Sequence, residues 1–540
     1  MMKRITHLTA MVLLALGLQH GALVDSASVN CAAGELMSPQ TASRLGLEEV
    51  WRRQMRVPAG AGSIVDQQII VHEADPREYV EVVTKAAEGE QPTVMFRIPT
   101  DQVGPDGQPI GKEEAERLAR REVRRLARRK LDLSITSSTV PRIKLYTAAN
   151  NGTLECRDAE TGTPIWMSQV GDPQLNFGRM GIDDEFVTIT NGGNLVKIDA
   201  TNGEPINSVR TTSMPLYGAI HAGDFSLVPT IRNGVEGYPL ADTTRDPFME
   251  IVSGLALEPP TKSPTSTKVA WATDRGFVYV MELSGEPSVL FRLNTDGIVS
   301  GRIAAADGDR FFFGSESGQV YGLRATRTGR VLWSQPYGEP FYKAPFLVNG
   351  MVLLPSAYGN LYAIDEKTGL GVWDQPIPNV DEIIGGFDQM LFVRLLSQSF
   401  AAIDLETGSV IEVDNTLKPV KLLVNRTTDR LYLVNAIGTV QCLRAIGADN
   451  PTIRRAVDTG DPEEAEEATE KPEAEAPKAA PADPFGAGGD PFGAGGADPF
   501  GAGGADPFGA GDAGGGEMAD PFGAPAGGGN DPFGGDPFGN

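Results

Sequence analysis

Cysteine and histidine are scarce in this chain, at three and four in 540 residues. Three cysteines (Cys31, Cys156 and Cys442) cannot build a disulfide scaffold, and their spacing matches no zinc signature. Basic charge is also short, with 47 Lys and Arg against 71 Asp and Glu, a net charge of -24. A surface that grips a nucleic-acid backbone needs clustered cations, so nucleic acid is excluded as a partner. No apolar run approaches the roughly twenty residues of a membrane helix. A nucleophile elbow, a phosphate loop and a His-Glu-x-x-His site are likewise missing, which removes the commonest hydrolase, nucleotide-binding and metalloprotease chemistries.

What is present begins with an export signal. Met1, Met2, Lys3 and Arg4 form a basic start, residues 8–18 a short apolar run, and Ser26-Ala27-Ser28 a small-residue stretch, so residues 1–28 read as a secretory signal peptide. The protein is therefore expected to be exported, to the periplasm or an envelope membrane. Cys31 raises lipid attachment, but Val29 and Asn30 are not the small residues such a site favours.

The middle of the chain repeats. Ser315-Glu-Ser-Gly-Gln-Val-Tyr-Gly-Leu at one point returns as Ser356-Ala-Tyr-Gly-Asn-Leu-Tyr-Ala-Ile, each followed by a Thr-Gly turn and a strand ending in Trp333 or Trp373. Turn positions recur at Gly152, Gly193, Gly234, Gly276, Gly318, Gly359, Ser399 and Gly438, at intervals of 39 to 42 residues. A unit this short cannot bury its own face. Repetition at this period predicts stacked four-stranded blades, and eight turns predict an eight-bladed, all-β propeller over residues 136–450. Glycine at the turn supplies positive φ. Asp158, Asp199, Asp365 and Asp404 precede the second turn, where a carboxylate accepts backbone N–H groups. Trp166, Trp333 and Trp373 are expected to wedge between neighbouring sheets. The third repeat is the least regular, and its prolines (Pro239, Pro247, Pro259, Pro260, Pro264) predict an irregular excursion between Arg232 and Lys268 rather than a blade edge.

The segments Arg157-Asp-Ala-Glu-Thr-Gly-Thr-Pro-Ile-Trp166, Ala363-Ile-Asp-Glu-Lys-Thr-Gly369 and Ala402-Ile-Asp-Leu-Glu-Thr-Gly408 resemble the repeats of pyrroloquinoline-quinone-type propellers, and within them the non-enzymatic outer-membrane protein assembly factor type. The resemblance implies a disc of eight blades. It leaves activity open, because the same fold serves alcohol dehydrogenases and scaffolds. Enzymes of this type are expected to carry a vicinal cysteine pair and a calcium site, and no Cys-Cys occurs here. Cys156 and Cys442 hold equivalent places in the first and last repeats, a separation too wide for a disulfide, and are expected to be buried thiols. His72 and His221 form no metal pair by spacing, and His221 reads as a loop residue. The expectation is a non-catalytic scaffold with no cofactor that binds envelope proteins. A quinone-dependent dehydrogenase with divergent motifs is the alternative, and glycan binding at the disc face a third reading with no aromatic cluster behind it.

Residues 45–100 hold strands before the first clear repeat. Residues 64–71 and 79–83 read as a hairpin around Ala74-Asp75-Pro76, a decayed repeat if Trp51 is aligned with Trp333. The last repeat lacks an outer strand. Residues 93–98 are the preferred strand to close the ring and residues 49–55 the second choice, because the second choice would make the decayed repeat a ninth blade. Within residues 101–135, positions 111–131 predict a charged helix. Its stripe of Ala115, Leu118, Ala119, Val123 and Leu126 faces protein, and Arg121, Arg125 and Arg129 are candidate contacts for an acidic partner or a peripheral membrane surface. After the propeller, residues 451–478 form an acidic linker. Residues 479–540 lack Lys, Arg and His and repeat Asp-Pro-Phe-Gly, a composition that predicts disorder. Phe485, Phe492, Phe500, Phe508, Phe522, Phe533 and Phe538 are evenly presented there and suit multivalent weak binding.

Overall fold

The computed structural model describes residues 36–454, apart from 59, 61, 85–92, 106, 130, 243, 388, 416 and 418–420. The signal segment, Cys31, most of the acidic linker and the seven phenylalanines of the Asp-Pro-Phe-Gly repeats lie outside the described residues.

Short apolar strands punctuated by turn residues pair antiparallel into eight sheets among the described residues, six of them four-stranded. Each sheet is a blade, with strands a to d running outward from a central axis. The a strands of successive blades touch, as in the parallel bridges Arg179↔Gly218 and Gly385↔Asn425. The eight-bladed propeller expected from the repeat period is the observed fold. Blade 3 corrects the expected excursion: Phe248–Ile251 is a regular outer strand paired with Gly234–Pro239. The turn glycine also needs refining. Positive φ falls on the expected glycine in five blades, but on Gly192, Asn233 and Gln398 in blades 2, 3 and 7. In blade 2 the two-residue connection Gly192-Gly193 requires positive φ at its first position.

Ring closure differs from the preferred expectation. The strand that completes blade 8 is β1 (Leu47–Gln54), hydrogen-bonded to Thr439–Ala445 from Leu47↔Ala445 to Gln54↔Thr439. A short helix, α1 (Pro39–Arg44), precedes it and is capped by Ser38. The next strand, β2 (Ile64–Thr84), is 21 residues long and is no decayed hairpin. Its first half is the innermost strand of blade 1, beside β4 (Leu133–Ala149), so closure by β1 gives eight blades and not nine. At Ala74-Asp75-Pro76 the chain bulges without reversing, as the register shift between His72 and Pro76 shows. The expected closing segment instead forms β3 (Val94–Pro99), which pairs with the distal half of β2.

The distal halves of β2 and β4, with β3, make a three-stranded arm that extends blade 1 beyond the disc. The second helix, α2 (Gly111–Leu126), lies on it: Ala115, Ala119 and Leu126 pack against Val80, Val82 and Ile98. Small alanines let the helix approach the sheet closely. Its other face carries the charges.

The seams between blades repeat one device. The indole N–H of Trp51 donates to the Ala159 carbonyl (2.9 Å), Trp166 to Ala200 (3.0 Å), Trp333 to Glu366 (2.9 Å) and Trp373 to Leu405 (3.1 Å). Each acceptor follows a turn aspartate in the next blade. Asp158 Oδ1, for example, accepts the N–H groups of Glu160 and Thr161 and the Thr161 hydroxyl. The glycine ending that turn lies under the incoming indole: a Cβ on Gly369 would sit 2.5 Å from the Trp333 ring, at φ +73. Gly350 has nearly the same φ, +74, with nothing within 4 Å of its virtual Cβ. Gly350→Ala therefore tests the backbone alone and is expected to cost about 1 kcal/mol. Gly369→Ala adds the clash and is expected to cost about 2–4 kcal/mol in urea denaturation. Equal losses would show that the indole contact is slack.

Candidate binding face and channel

Antiparallel pairing divides the connections between two faces of the disc. The b–c turns and the links from one blade's d strand to the next blade's a strand lie on one face, called upper here. The a–b and c–d turns lie on the lower face. The arm, a lengthened a–b hairpin, belongs to the lower face.

Exposed large apolar side chains in these connections favour the upper face. Ile231, Tyr358, Leu396 and Ile437 sit in b–c turns, and Leu175, Met214, Ile298 and Tyr342 in d–a links. Tyr358 is 67% accessible and Leu396 52%. On the lower face, Leu370, Val424 and Ile446 are the comparable residues of the ring's turns among those described, and the arm adds Met95, Phe96, Val103 and Leu131. Between blades 2 and 3 the upper face has a cleft of about 310 Å³, lined by Leu175, Phe177, Met214, Leu216 and Tyr217 among others. A turn has no folding reason to show an isoleucine or leucine to water, so their gathering makes this face a candidate surface for a partner.

The lower face is polar. Asp183, Asp184, Glu185 and Asp224 line a hollow of about 540 Å³ between the first blades. Beneath it, His221 corrects its loop expectation. It is buried in the strand Ile220–Ala222, with Nδ1 2.7 Å from Asp183 Oδ2 and Nε2 2.7 Å from Thr188 Oγ1. Thr188 Oγ1 continues to Ser226 Oγ (2.8 Å). Geometrically this is an acid–imidazole–hydroxyl chain, but Thr188 and Ser226 are each 1% exposed, so no substrate reaches the hydroxyls. It clamps blade 2 to blade 3. The imidazole bond helps hold the Asp183 carboxyl below its ordinary range, against the opposing effect of burial. His72 makes a similar clamp, with Nε2 2.9 Å from the Tyr146 hydroxyl and Nδ1 3.2 Å from Asp184. Among the described residues no group of three or more His, Cys, Asp or Glu is arranged to hold a metal. Cys156 and Cys442 are buried free thiols, as expected.

On α2 the charges are partly cancelled. Arg117, Arg120 and Arg125 pair with Glu114, Glu116 and Glu122. Arg121, Arg124 and Arg128 are exposed without a described acidic partner, so Arg121 stays open to a partner while Arg125 is already engaged. The Arg129 side chain lies outside what is described.

One feature escaped the sequence reading. Arg179, Arg302 and Arg426 belong to the inner strands or adjoining segments of blades 2, 5 and 8 and face the central channel. A signal existed: Gly178-Arg179 and Gly301-Arg302 are the same dipeptide three repeats apart.

These observations define a closed eight-bladed propeller with an apolar upper face, a charged channel and a helix-capped arm below. Its blades can be placed further. Residues 263–421, spanning blades 4 to 7, match the family PQQ_2, described as outer membrane protein assembly factor BamB. The repeats of those blades thus match the pyrroloquinoline-quinone-like, assembly-factor type, as the motifs at 363–369 and 402–408 resemble it. Among solved structures, BamB from Moraxella catarrhalis is 20% identical with a TM-score of 0.44, over 56% of this chain and 91% of that one. The computationally designed Ika8 protein is 13% identical (TM-score 0.42, 55% and 92% covered), and Sqt1 of Saccharomyces cerevisiae 9% identical (TM-score 0.43, 55% and 92% covered). No curated protein matches the sequence.

Proposed function

We propose that this chain is an exported, non-catalytic propeller scaffold that binds a protein of the bacterial envelope through its upper face. The observation that carries the reading is the gathering of exposed apolar turn residues on that face. The secretory-type N-terminus and the assembly-factor description of the family matching blades 4 to 7 support an envelope setting. The arm, with Arg121 on its helix, is a second contact on the opposite side. A scaffold with two differently built faces suits the joining of partners.

The test is capture from native membranes with full-length protein carrying Leu396→Ser and Ile437→Ser together, beside Arg121→Glu alone. Both turn side chains are exposed, so folding is expected to be unchanged. Recovery of the principal partner is expected to fall about tenfold or more with the turn variant, the loss typical of removing apolar anchors. Recovery equal to the unmodified chain would remove the upper face from the reading. Stoichiometric quinone binding with dye-linked alcohol oxidation would replace the scaffold with an enzyme.

A further inference from the structure

The channel brings Arg179 and Arg426 close to Arg302. Within it a cavity of about 330 Å³ has Arg302, Arg426, Lys343 and Arg394 in its wall, with Glu258 and Glu382. It runs from the upper d–a link into blade 6 to Arg426, which enters from the a–b connection of blade 8 and also lines a lower hollow with Asp307, Glu366 and Asp429. Two of these cations are neutralised in place: Lys343 pairs with Asp381, and Arg394 with Asp381 and Glu382. The other two are held differently. Arg302 donates to the Thr261 hydroxyl (3.1 Å) and the Pro260 carbonyl (3.1 Å), and Arg426 to the Pro345 carbonyl (2.9 Å). Neutral acceptors orient a guanidinium without cancelling its charge. Neither arginine forms an ion pair with a described carboxylate.

Both are surrounded by protein while remaining open to the channel, Arg426 being exposed and Arg302 half-buried. Burial, with Arg179 and Arg426 nearby, pushes Arg302 down to about 9; burial and Arg179 push Arg426 down to about 10. Both remain charged at neutral pH, and Asp66 and Glu258, which pull Arg302 the other way, offset only part of the positive potential. Two fixed guanidinium forks at the wall of one cavity make a receptor for a planar carboxylate. Tyr342 lies in the same wall and also belongs to the apolar upper face, so the charged cavity and that face are continuous.

We propose that the channel receives, through its upper opening beside Tyr342, a carboxylate carried on a loop of the protein partner, with Arg302 and Arg426 as its ligands and the apolar turns seating the flanking residues. This rests on the upper face being the protein-binding face and names the chemistry the partner must bring. A glutamate or aspartate at a loop tip, with apolar neighbours, fits both parts of the surface.

The probe is a hexaglutamate peptide titrated calorimetrically into the full chain at low salt, beside citrate and inorganic phosphate. The peptide is expected to bind, with Arg302→Gln and Arg426→Gln each weakening it about tenfold and Arg210→Gln, on an exposed outer strand, leaving it unchanged. Arg426→Lys keeps charge but not the fork and is expected to fall between; it also serves if a glutamine variant does not fold. Peptide affinity indifferent to all three channel variants overturns the site. Citrate or phosphate binding more tightly than the peptide overturns the protein-borne carboxylate in favour of a small-anion site. This readout is separate from membrane capture. If the Leu396 and Ile437 variant captures normally while peptide binding still depends on Arg302, the upper-face reading has failed and the channel site has not.

Discussion

Replacing Trp51 with alanine is expected to destabilise the propeller by about 3–5 kcal/mol and to open the ring at one particular seam. Trp51 is 5% exposed, its N–H is bound to Ala159 of blade 1, and a Cβ on Gly162 would lie 2.7 Å from its ring. It belongs to the outer strand of blade 8, so it joins the last blade to the first. The same side chain packs in one cluster with Tyr432, Val440 and Cys442 of blade 8 and Ile143 and Leu145 of blade 1. Removing it leaves a cavity, and the Ala159 carbonyl keeps only the longer bond from the Tyr432 hydroxyl (3.3 Å). The loss can be located because Cys442 stands opposite Trp51 in the sheet and is 0% exposed, while Cys156 is equally buried in blade 1 beside Trp166. In a Cys31→Ser background, Trp51→Ala should speed thiol labelling of Cys442 more than that of Cys156. Trp166→Ala should reverse the order. Equal acceleration of both thiols by either variant would mean that the ring opens as one unit rather than seam by seam.

That seam also shows how far the sequence could be read. The blade count, the turn aspartates and the tryptophan wedges are local features that recur, and repetition made them legible. Closure is not local: Leu47 pairs with Ala445, and nothing in residues 47–54 names a partner so distant. The sequence favours another closing strand because residues 64–71 read as half of a hairpin, so that closure by β1 implies nine blades. Pro76 beside Asp75 resembles a turn. In the fold Asp75 is held by Lys144 (2.9 Å) and the strand continues past the bulge. The upper face was hidden for another reason. Ile231, Tyr358, Leu396 and Ile437 are unremarkable one at a time, and only the alternation of strand direction collects them on one side. The channel arginines needed the ring itself, because three residues on blades 2, 5 and 8 converge only when the sheets close around an axis.

Acid is expected to loosen the first two blades before Asp183, Asp309 and Asp381 are titrated. His72 is fully buried, and burial with Lys144 beside it pushes its pKa down to about 4, against the pull of Asp184. In the unfolded chain an imidazole titrates near 6.5. The folded value is the lower one, so the stability tied to neutral His72 is fully present above about pH 6.5 and is lost as pH falls toward 4. Over that window the unfolded chain takes up a proton that the folded chain refuses. The expected loss is about 2 kcal/mol by pH 4.5 and about 3 kcal/mol below pH 4. Asp183, Asp309 and Asp381 act in a different range. Their folded pKa values are lowered, despite burial, by bonds to His221, to Lys268 with Ser263 and Ser266, and to Lys343 with Arg394, so their contribution fades only below the ordinary carboxylate range. Urea denaturation at pH 7 and 4.5 separates the two. The unmodified chain should lose stability between them, whereas His72→Gln should start lower and change little. A chain as stable at pH 4.5 as at pH 7 would mean that the fold accepts a proton at His72, with Asp184 3.2 Å away to receive the charge.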